Sequence, residues 1–322
     1  MTTRKIRFGV SGGAQPTATA WREQAKKAED LGFSCLLVGD HMGRNMAPLL
    51  ALLSAADATT NLHVSTQVIS NDFRNPVVLA KEIATLDFLT DGRFEPGIGT
   101  GWPAGSANGI ADYAQTGLVM DPPGKRVSRL EEVLTMLREY LRATEPFDYE
   151  GEHYTFKNVV ASPRRAEGGP PPIMVAGAGP RIVKIASRLA DIINIAPRPP
   201  IKGQTPRGSI GFGLTMADEI GIIKAAAGDR YDDIELSVFA NNPAQGNPSV
   251  TDDPEPWIEK LAAELGTTSD AIREMPATLI GPEGELIERI QRDRDLYDIS
   301  YRIVPAFAMD AFAPIVAKLA GT

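Results

Sequence analysis

The chain alternates between short apolar runs and longer segments whose apolar positions recur at helical spacing. Trp21, Ala25 and Ala28 follow one another on such a segment, and Gly32 ends it, which is typical of an amphipathic helix with a glycine cap. A second helix is predicted to begin at Pro76. The apolar runs predict strands over residues 6–10, 35–39, 63–70, 93–102, 172–177, 191–196, 234–240 and 299–304.

Eight strands separated by helices predict an α/β fold, a parallel TIM (β/α)8 barrel that forms one domain over residues 1–322. The strands are almost continuously apolar, as strands covered by helices on the outside should be. The alternative is an open doubly wound sheet, but the "VSGGAQPTAT" segment lacks the required glycine order after the first strand. The "FDYEGEHYTF" segment predicts a small hairpin outside the barrel.

Three long segments follow predicted strand ends. They cover residues 101–124, 197–213 and 241–256. In a barrel they are insertions over the C-terminal face, where the loops after the strands build active sites.

The balance of charges narrows the class of partner. The chain has 33 basic and 41 acidic residues, a net charge of −8, which disfavours nucleic acid and anionic membrane surfaces. Neither an apolar stretch of membrane-spanning length nor a secretory signal pattern is present, so we expect a cytoplasmic protein. Cys35 is the sole cysteine, which excludes an intrachain disulfide and a cysteine metal cluster.

Asp40 and His41 end the second predicted strand and therefore face the barrel mouth. A carboxylate and an imidazole at this position indicate an acid–base or cofactor-contacting pair. The alternative is a turn aspartate beside a hydrogen-bonded histidine. His63 and His153 lie in unlike contexts and are interpreted as structural, so no metal site is expected.

Polar residues also lie inside predicted strands, where their polar atoms must find partners. Thr66, Gln67, Ser70 and Asn71 end the third strand, and their partners are either neighbouring strands or a ligand. Glu95 is predicted to pair with an arginine or lysine from another strand, because a lone buried carboxylate is costly. The proline after it, in "RFEPGIGTGW", is predicted to interrupt strand pairing.

Two glycine-rich turns follow predicted strands. Gly97, Gly99 and Gly101 have the spacing G-x-G-x-G, which is not the dinucleotide fingerprint. Gly177 and Gly179 precede a helix, an arrangement that presents backbone N–H groups to an anion such as phosphate. An ordinary strand-to-helix turn is the alternative for the second stretch.

Several segments together resemble one family. The matching pieces are "AEDLGFSCLLVGDH", "NPVVLAKEIATLDFLTDGRFEPGIGTGW", "RLEEVLTMLRE", "PPIMVAGAGPRIVKIASRLAD" and "LIGPEGELIERI", in the family's order. The chain resembles the luciferase-like monooxygenase superfamily, and most of all the branch that uses the deazaflavin coenzyme F420. The resemblance implies a TIM barrel, often a homodimer, with a flavin or deazaflavin at its C-terminal face.

The resemblance also implies roles for individual residues. His41, positioned by Asp40, would be the catalytic proton donor or polarising group, and a non-prolyl cis peptide is expected at Gln67–Val68. The implied cofactor-binding residues are Asp40, Thr66, Gln67, Val68, Ser70, Thr100, Gly101, Gly177, Ala178, Gly179, Pro180 and Arg181. The glutamate tail of F420 would meet a basic rim of Arg44, Lys125, Arg181, Arg198 and Lys202.

Two departures from the family pattern bear on the reaction. Trp102 stands where the sugar-phosphate dehydrogenases of the family carry a catalytic glutamate, which argues against that reaction. Asn75 stands where many flavin-using relatives have histidine. The expected activity is hydride transfer between F420 and a small organic substrate, with reduction of an activated C=C or C=N bond. An FMN-dependent monooxygenase and a non-catalytic flavin-binding relative are the alternatives.

Overall fold

The computed structural model describes residues 4–43, 45–103, 105–177, 179–195, 215–240 and 249–322. The strands found there are β1 (Arg7–Gly12), β2 (Cys35–Val38), β3 (His63–Thr66), β4 (Ile69–Ser70), β5 (Phe94–Glu95), β6 (Gly97–Gly99), β7 (Phe147–Glu150), β8 (Thr155–Val159), β9 (Met174–Gly177), β10 (Ile192–Ile195), β11 (Glu235–Phe239) and β12 (Ile299–Pro305). The helices are α1 (Ala18–Asp30), α2 (Pro48–Ala56), α3 (Pro76–Leu89), α4 (Ala107–Thr116), α5 (Pro123–Tyr140), α6 (Pro180–Leu189), α7 (Met216–Ala227), α8 (Glu255–Leu265), α9 (Ser269–Glu274), α10 (Glu283–Tyr297) and α11 (Met309–Leu319).

The parallel strands close into a barrel. Strands β9, β10, β11, β12, β1, β2 and β3 pair in that order. Strand β3 continues into β4 and β5 continues into β6, and β3 pairs with β5 while β4 pairs with β6. Because β6 also pairs with β9, the sheet returns to its start. Counting each interrupted strand once gives eight strand positions, which confirms the predicted (β/α)8 barrel.

The eight predicted strands are all present, and two neighbouring ones are interrupted. Pro96 separates β5 from β6, as its missing backbone N–H predicts. The Gln67–Val68 peptide separates β3 from β4, and this peptide is cis, as the resemblance implies. Strands β7 and β8 form the predicted antiparallel hairpin outside the barrel.

A threonine hydroxyl joins the two interrupted strands at the level of both breaks. The Thr66 hydroxyl donates to the carbonyl of Gly97 at 2.7 Å and accepts from the Gly97 N–H at 2.8 Å. A Cβ on Gly97 would lie 1.9 Å from the carbonyl oxygen of Thr66, so this position excludes every side chain. Gly97 therefore serves barrel packing.

An ionic layer closes the N-terminal end of the barrel. The guanidinium of Arg7 binds both oxygens of Glu95 at 2.8 and 3.0 Å and also binds Glu235, and it lies 3.7 Å from the ring centroid of Tyr301. The imidazole Nδ1 of His63 lies 3.0 Å from Glu95. The predicted pairing of Glu95 with a cation from another strand is thus confirmed. Burial alone would raise the pKa of Glu95, but Arg7 and His63 outweigh burial and lower it to about 2.

Apolar side chains fill the barrel above the ionic layer, and a larger cluster fills the space between strands and helices. The inner group contains Cys35, Leu37, Met174, Ile192, Tyr301 and Ile303. Burial raises the pKa of the Cys35 thiol, as expected for a thiol packed in an apolar core. In the outer layer the buried indole of Trp21 on α1 donates to the carbonyl of Ala51 on α2 at 2.8 Å.

Helix α4 was not predicted. The segment at 101–124 was expected to be a loop, but Ser106 caps α4 by accepting from the backbone N–H of Gly109, and Gly117 ends it at φ 71°. These capping residues are the sequence signal that could have located α4. Helices α7 to α10 were also not predicted, although a Thr215–Asp218 capping box starts α7.

We expect Glu95→Gln to lower the free energy of unfolding by roughly 3 kcal/mol at neutral pH. This value is at the low end of the range for breaking a buried ion pair, because Glu235 still binds Arg7 in the variant. The folded-state pKa of Glu95 lies below its ordinary value of 4.5. Its ionised form therefore stabilises the fold above that value, and this contribution is lost as the pH falls toward about 2. Urea unfolding at neutral and acidic pH should show the difference shrinking in acid. If the difference in stability between wild type and variant were the same at both pH values, the lowered pKa of Glu95 would be contradicted. Glu131→Gln is the control, because Glu131 forms an exposed ion pair with Arg188.

Gly97→Ala should destabilise the barrel by at least about 3 kcal/mol, because the new methyl group meets a backbone carbonyl that cannot move aside. Thermal unfolding followed by circular dichroism measures the effect. The matched control is Gly221→Ala within α7, where a Cβ meets no atom within 4 Å. This change should be neutral or stabilise by about 0.5–1 kcal/mol through helix propensity. Equal stabilities of the two variants would refute the packing role.

Candidate active site at the barrel mouth

A cavity of about 140 Å³ lies at the C-terminal ends of β2, β4 and β6. Its position agrees with the general location of sites in this fold. The described residues that line it are Asp40, His41, Gln67, Val68, Ser70, Phe73, Gly101, Trp102, Pro103 and Tyr113. The structure therefore brings together six of the residues predicted for the site: Asp40, His41, Gln67, Val68, Ser70 and Gly101.

Asp40 ties the end of β2 to the segment after β4. Its carboxylate accepts from the guanidinium of Arg74 at 2.5 and 3.2 Å and from the backbone N–H of Ser70 at 3.2 Å. The side chain is buried, with 3% exposed. The contacts of the Asp40 carboxylate in the described part of the chain are thus with Arg74 and Ser70 and not with His41, and the positioning of His41 by Asp40 stays a prediction.

His41 lies instead against Trp102 and Asp112. Its ring centroid is 4.7 Å from that of Trp102, with 30° between the ring planes. Its Nδ1 atom lies 3.5 Å from Oδ2 of Asp112. Nδ1 is buried while about a third of the side chain is exposed, so Nε2 is the nitrogen left to face a bound molecule.

Asp112 is a functional candidate that the sequence did not reveal. It lies on α4 with 4% of its surface exposed, and its Oδ2 accepts from the indole N–H of Trp102 at 2.8 Å. The next residue, Tyr113, lines the cavity and donates to Asp72 at 2.8 Å. Burial and the Asp72 carboxylate raise the pKa of Tyr113 to about 12, so this phenol keeps its proton at neutral pH.

A buried arginine holds the loop that carries Trp102. Arg126 on α5 is 2% exposed and donates to the carbonyls of Thr100, Trp102 and Asp121 at 2.7–3.0 Å. Thr100 thus contributes its carbonyl to this anchor. Gly101, between these carbonyls, has φ 74°, and a Cβ there would lie 2.9 Å from the Ser70 hydroxyl. Glycine is therefore favoured both by conformation and by space.

The other predicted residues of the third and fourth strands have packing contacts. The hydroxyl of Thr66 is engaged by Gly97, and the Thr66 side chain does not line the cavity. A Cβ on Gly99 would lie 2.7 Å from Val68 and 3.1 Å from the carbonyl of Ala176. Gly99 is thus enclosed by protein atoms, which explains its lack of a side chain without a ligand.

Three buried polar atoms of the cavity-lining residues have no hydrogen-bond partner among the described residues: Nδ1 of His41, Oε1 of Gln67 and Oγ of Ser70. Oδ1 of Asn71, next in the chain, also has none. Buried acceptors are normally satisfied, so the side-chain oxygen of Gln67 is available to a donor on a bound molecule. The polar residues at the end of the third predicted strand therefore differ in their hydrogen-bond partners. Thr66 is satisfied by the neighbouring strand, whereas Gln67 and Asn71 keep free acceptors.

The predicted phosphate turn joins β9 to α6. Gly179 has φ 102° and precedes Pro180, the first residue of α6. A Cβ on Gly177 would lie 2.5 Å from Ile182, so the turn is tight. Arg181 donates to the carbonyl of Gly124 and to Ser128, which joins α6 to the first turns of α5. Ala178 lies outside the described residues, and phosphate binding here stays a prediction.

Two residues of the predicted basic rim, Lys125 and Arg181, are among the residues that the structure describes. Lys125 pairs with Asp121 at 3.3 Å, and Arg181 has the contacts given above. Arg44, Arg198 and Lys202, like most of the segments at 197–213 and 241–256, lie outside the described residues. Among the described residues, no group of acidic, histidine or cysteine side chains is placed to hold a metal ion, and no helix has the length and apolarity to cross a membrane.

The remaining histidines lie away from the cavity. His63 belongs to the ionic layer at the opposite end of the barrel. His153, in the hairpin connection, donates its backbone N–H to Glu132 on α5. Both were interpreted as structural, and these positions agree with that interpretation.

Comparisons with known proteins place these features in a family. A family model described as luciferase-like monooxygenase matches residues 3–205. An F420-dependent glucose-6-phosphate dehydrogenase of Nakamurella multipartita is 31% identical over 202 residues, which are 59% of this chain and 56% of the relative. The chain spans about half the length of the curated relatives it matches.

Solved structures share the whole fold at low sequence identity. The coenzyme F420-dependent tetrahydromethanopterin reductase of Methanopyrus kandleri is similar with a TM-score of 0.73 and 18% identity, covering 98% of this chain and 99% of its own. EDTA monooxygenase of Chelativorans sp. BNC1 is similar with a TM-score of 0.71 and 14% identity, covering 98% and 94%. The family model covers well over half of the sequence, and the chain therefore belongs to the luciferase-like monooxygenase family.

Proposed function

We propose that the protein is an F420-dependent oxidoreductase that transfers a hydride between the deazaflavin and a small organic substrate, with reduction of an activated C=C or C=N bond. The observation that carries the proposal is the placement of the His41 imidazole at a cavity in the barrel mouth, backed by Asp112 and Trp102. The curated relatives are F420-dependent enzymes, which supports the choice of coenzyme.

The residues at the cavity suit a flat heterocycle with polar edges. Gln67 offers a free buried acceptor for a ring N–H group, and Gly101 keeps the wall bare. Val68 and Phe73 supply apolar surface for a ring face. None of the described residues that line the cavity is lysine or arginine. The ring system of F420 meets these requirements, and Gln67, Val68, Ser70 and Gly101 are the residues we assign to hold it.

When bound, the deazaflavin supplies or accepts the hydride. The protein's own part is to orient the substrate and to move a proton. His41 donates a proton from Nε2 to the substrate atom next to the carbon that gains the hydride. Trp102 and Tyr113 limit the access of water to this corner of the cavity.

The proposed substrate is not a sugar phosphate, although relatives carry that activity in their names. Trp102 occupies the position of the carboxylate that the resemblance assigns to sugar-phosphate dehydrogenases. The cavity walls in the described part of the chain combine three aromatic side chains with no lysine or arginine: Phe73, Trp102 and Tyr113. This surface favours an uncharged, unsaturated substrate.

An FMN-dependent monooxygenase remains the second candidate, because EDTA monooxygenase shares the fold. Asn75 bears on the choice. It caps α3 by accepting from the backbone N–H groups of Val77 and Val78, at 3.0 and 3.3 Å. Asn75 is thus a helix cap, and its side-chain oxygen is already engaged at the position where the resemblance gives many flavin-using relatives a histidine.

The homodimer implied by the resemblance is part of the proposal. Helices α2 and α3 lie side by side and expose Leu50 and Val78, at 72% and 53%. Exposed apolar side chains on neighbouring helices support a surface that a second copy covers.

A titration of the purified protein with F420 and with FMN, followed by fluorescence, tests the choice of cofactor. F420 should bind and FMN should not. Raised ionic strength and a shorter glutamate tail should both weaken the binding of F420, since the tail is anionic. Tight binding of FMN without binding of F420 would reject the proposal in favour of the monooxygenase.

His41→Gln should lower kcat by about 10²- to 10⁴-fold, the usual contribution of a positioned proton donor. The affinity for F420 should change little, because the residues assigned to hold its ring lie on β4 and on the segments after β3 and β6. Steady-state kinetics and the fluorescence titration measure the two effects separately. Turnover equal to that of the wild type would remove His41 from the mechanism.

A further inference from the structure

We propose that Asp112, on α4, is the positioning residue of His41. The inference rests on the proposed function only in its last step, the delivery of a proton to substrate. Its structural part concerns the arrangement of three side chains of this chain.

Three contacts define the arrangement. Oδ2 of Asp112 lies 2.8 Å from the indole nitrogen of Trp102 and 3.5 Å from Nδ1 of His41, and the two rings lie 4.7 Å apart. A single carboxylate oxygen thus faces both ring nitrogens. The indole N–H can only donate, so it fixes this oxygen as an acceptor in place.

Asp112 is buried, so its charge needs partners within the protein. A carboxylate that is 4% exposed needs compensating donors or positive charge. In the described part of the chain its contacts are the Trp102 indole and the His41 imidazole. The indole supplies one neutral donor, so a proton on Nδ1 of His41 is the second compensating group. Asp112 therefore holds a proton on Nδ1 and leaves Nε2 to exchange the other.

The distance of 3.5 Å is too long for a hydrogen bond and short enough for an ion pair with a protonated imidazole. Hydrogen bonds of catalytic groups are often long before a ligand binds and shorten in the complex. A bound ring that presses on the exposed side of His41 would move the imidazole toward Asp112. The Trp102 ring lies beside the imidazole, with 4.7 Å between the ring centroids.

The proton balance of the reduction follows. The substrate gains a hydride at one atom of its double bond and a proton from Nε2 of His41 at the other, so it is reduced by two electrons. His41 changes from imidazolium to neutral imidazole and keeps its Nδ1 proton toward Asp112. A proton from solvent restores the imidazolium once product has left. Asp112 contacts neither substrate nor cofactor in this scheme and acts through His41.

The test uses the nitrogen NMR signals of the imidazoles in protein without cofactor. The chain has three histidines, and His41→Gln assigns the signals of position 41. In alkaline buffer, where the imidazole is neutral, Asp112→Leu should remove the proton preference of Nδ1 and shift both His41 nitrogens toward the other tautomer. Asp112→Glu, which keeps a carboxylate, should recover part of the wild-type pattern. Asp121→Leu is the matched control, because this aspartate binds Lys125 and Arg129 and not His41.

Kinetics completes the test. In the loaded enzyme Asp112→Leu should lower kcat about 10- to 100-fold with a smaller change in KM, part of what proton transfer contributes. Thermal unfolding followed by circular dichroism checks that each variant folds. If Asp112→Leu does not fold, the His41 signals of Asp112→Glu are compared with those of the wild type instead. His41 signals that stay unchanged in a folded Asp112→Leu protein would overturn the inference. A shift of these signals without F420-dependent turnover would uphold the positioning role and reject the proposed function alone.

Discussion

The barrel mouth depends on one hydroxyl. Two neighbouring strands are interrupted at the same level, β3/β4 at Gln67–Val68 and β5/β6 at Pro96, and an interrupted ladder leaves backbone groups without partners. Thr66 supplies both a donor and an acceptor to Gly97 and restores the connection. Because Gly97 has no side chain, the two backbones approach closely enough for this exchange. The barrel can then close while the strand residues beyond Thr66 leave the regular pleat.

The interruption determines what faces the cavity. Beyond it, Gln67 and Val68 reach the mouth instead of continuing the strand alternation, and Ser70 meets the backbone of the next loop at Gly101. The opposite wall is fixed from outside the barrel, by the donation of Arg126 to the carbonyls of Thr100 and Trp102. A rigid barrel rim and one buried arginine therefore position the loops, as expected for a site whose groups must keep their distances.

Much of the fold followed from the sequence, because burial on both faces makes parallel strands apolar and the intervening helices periodic. The pairing of Glu95 also followed, since a buried carboxylate requires a cation. The partner of His41 did not. The resemblance implies Asp40, the preceding residue, but the Asp40 carboxylate binds Arg74 and Ser70. Asp112, which lies 3.5 Å from His41, is on a helix whose main sequence signals are its caps, Ser106 and Gly117, and no periodicity records a contact between distant polar side chains.

Trp102 belongs to two arrangements at once. Its indole N–H donates to Asp112 on α4, and the same carboxylate oxygen lies 3.5 Å from Nδ1 of His41. Its ring also lines the cavity, so the loop after β6 presents an aromatic surface there. Under the proposed mechanism, proton transfer depends on the carboxylate of α4, whereas contact with the substrate depends on the loop. Because these two roles belong to different elements, other residues of the loop can change while Asp112 stays beside His41.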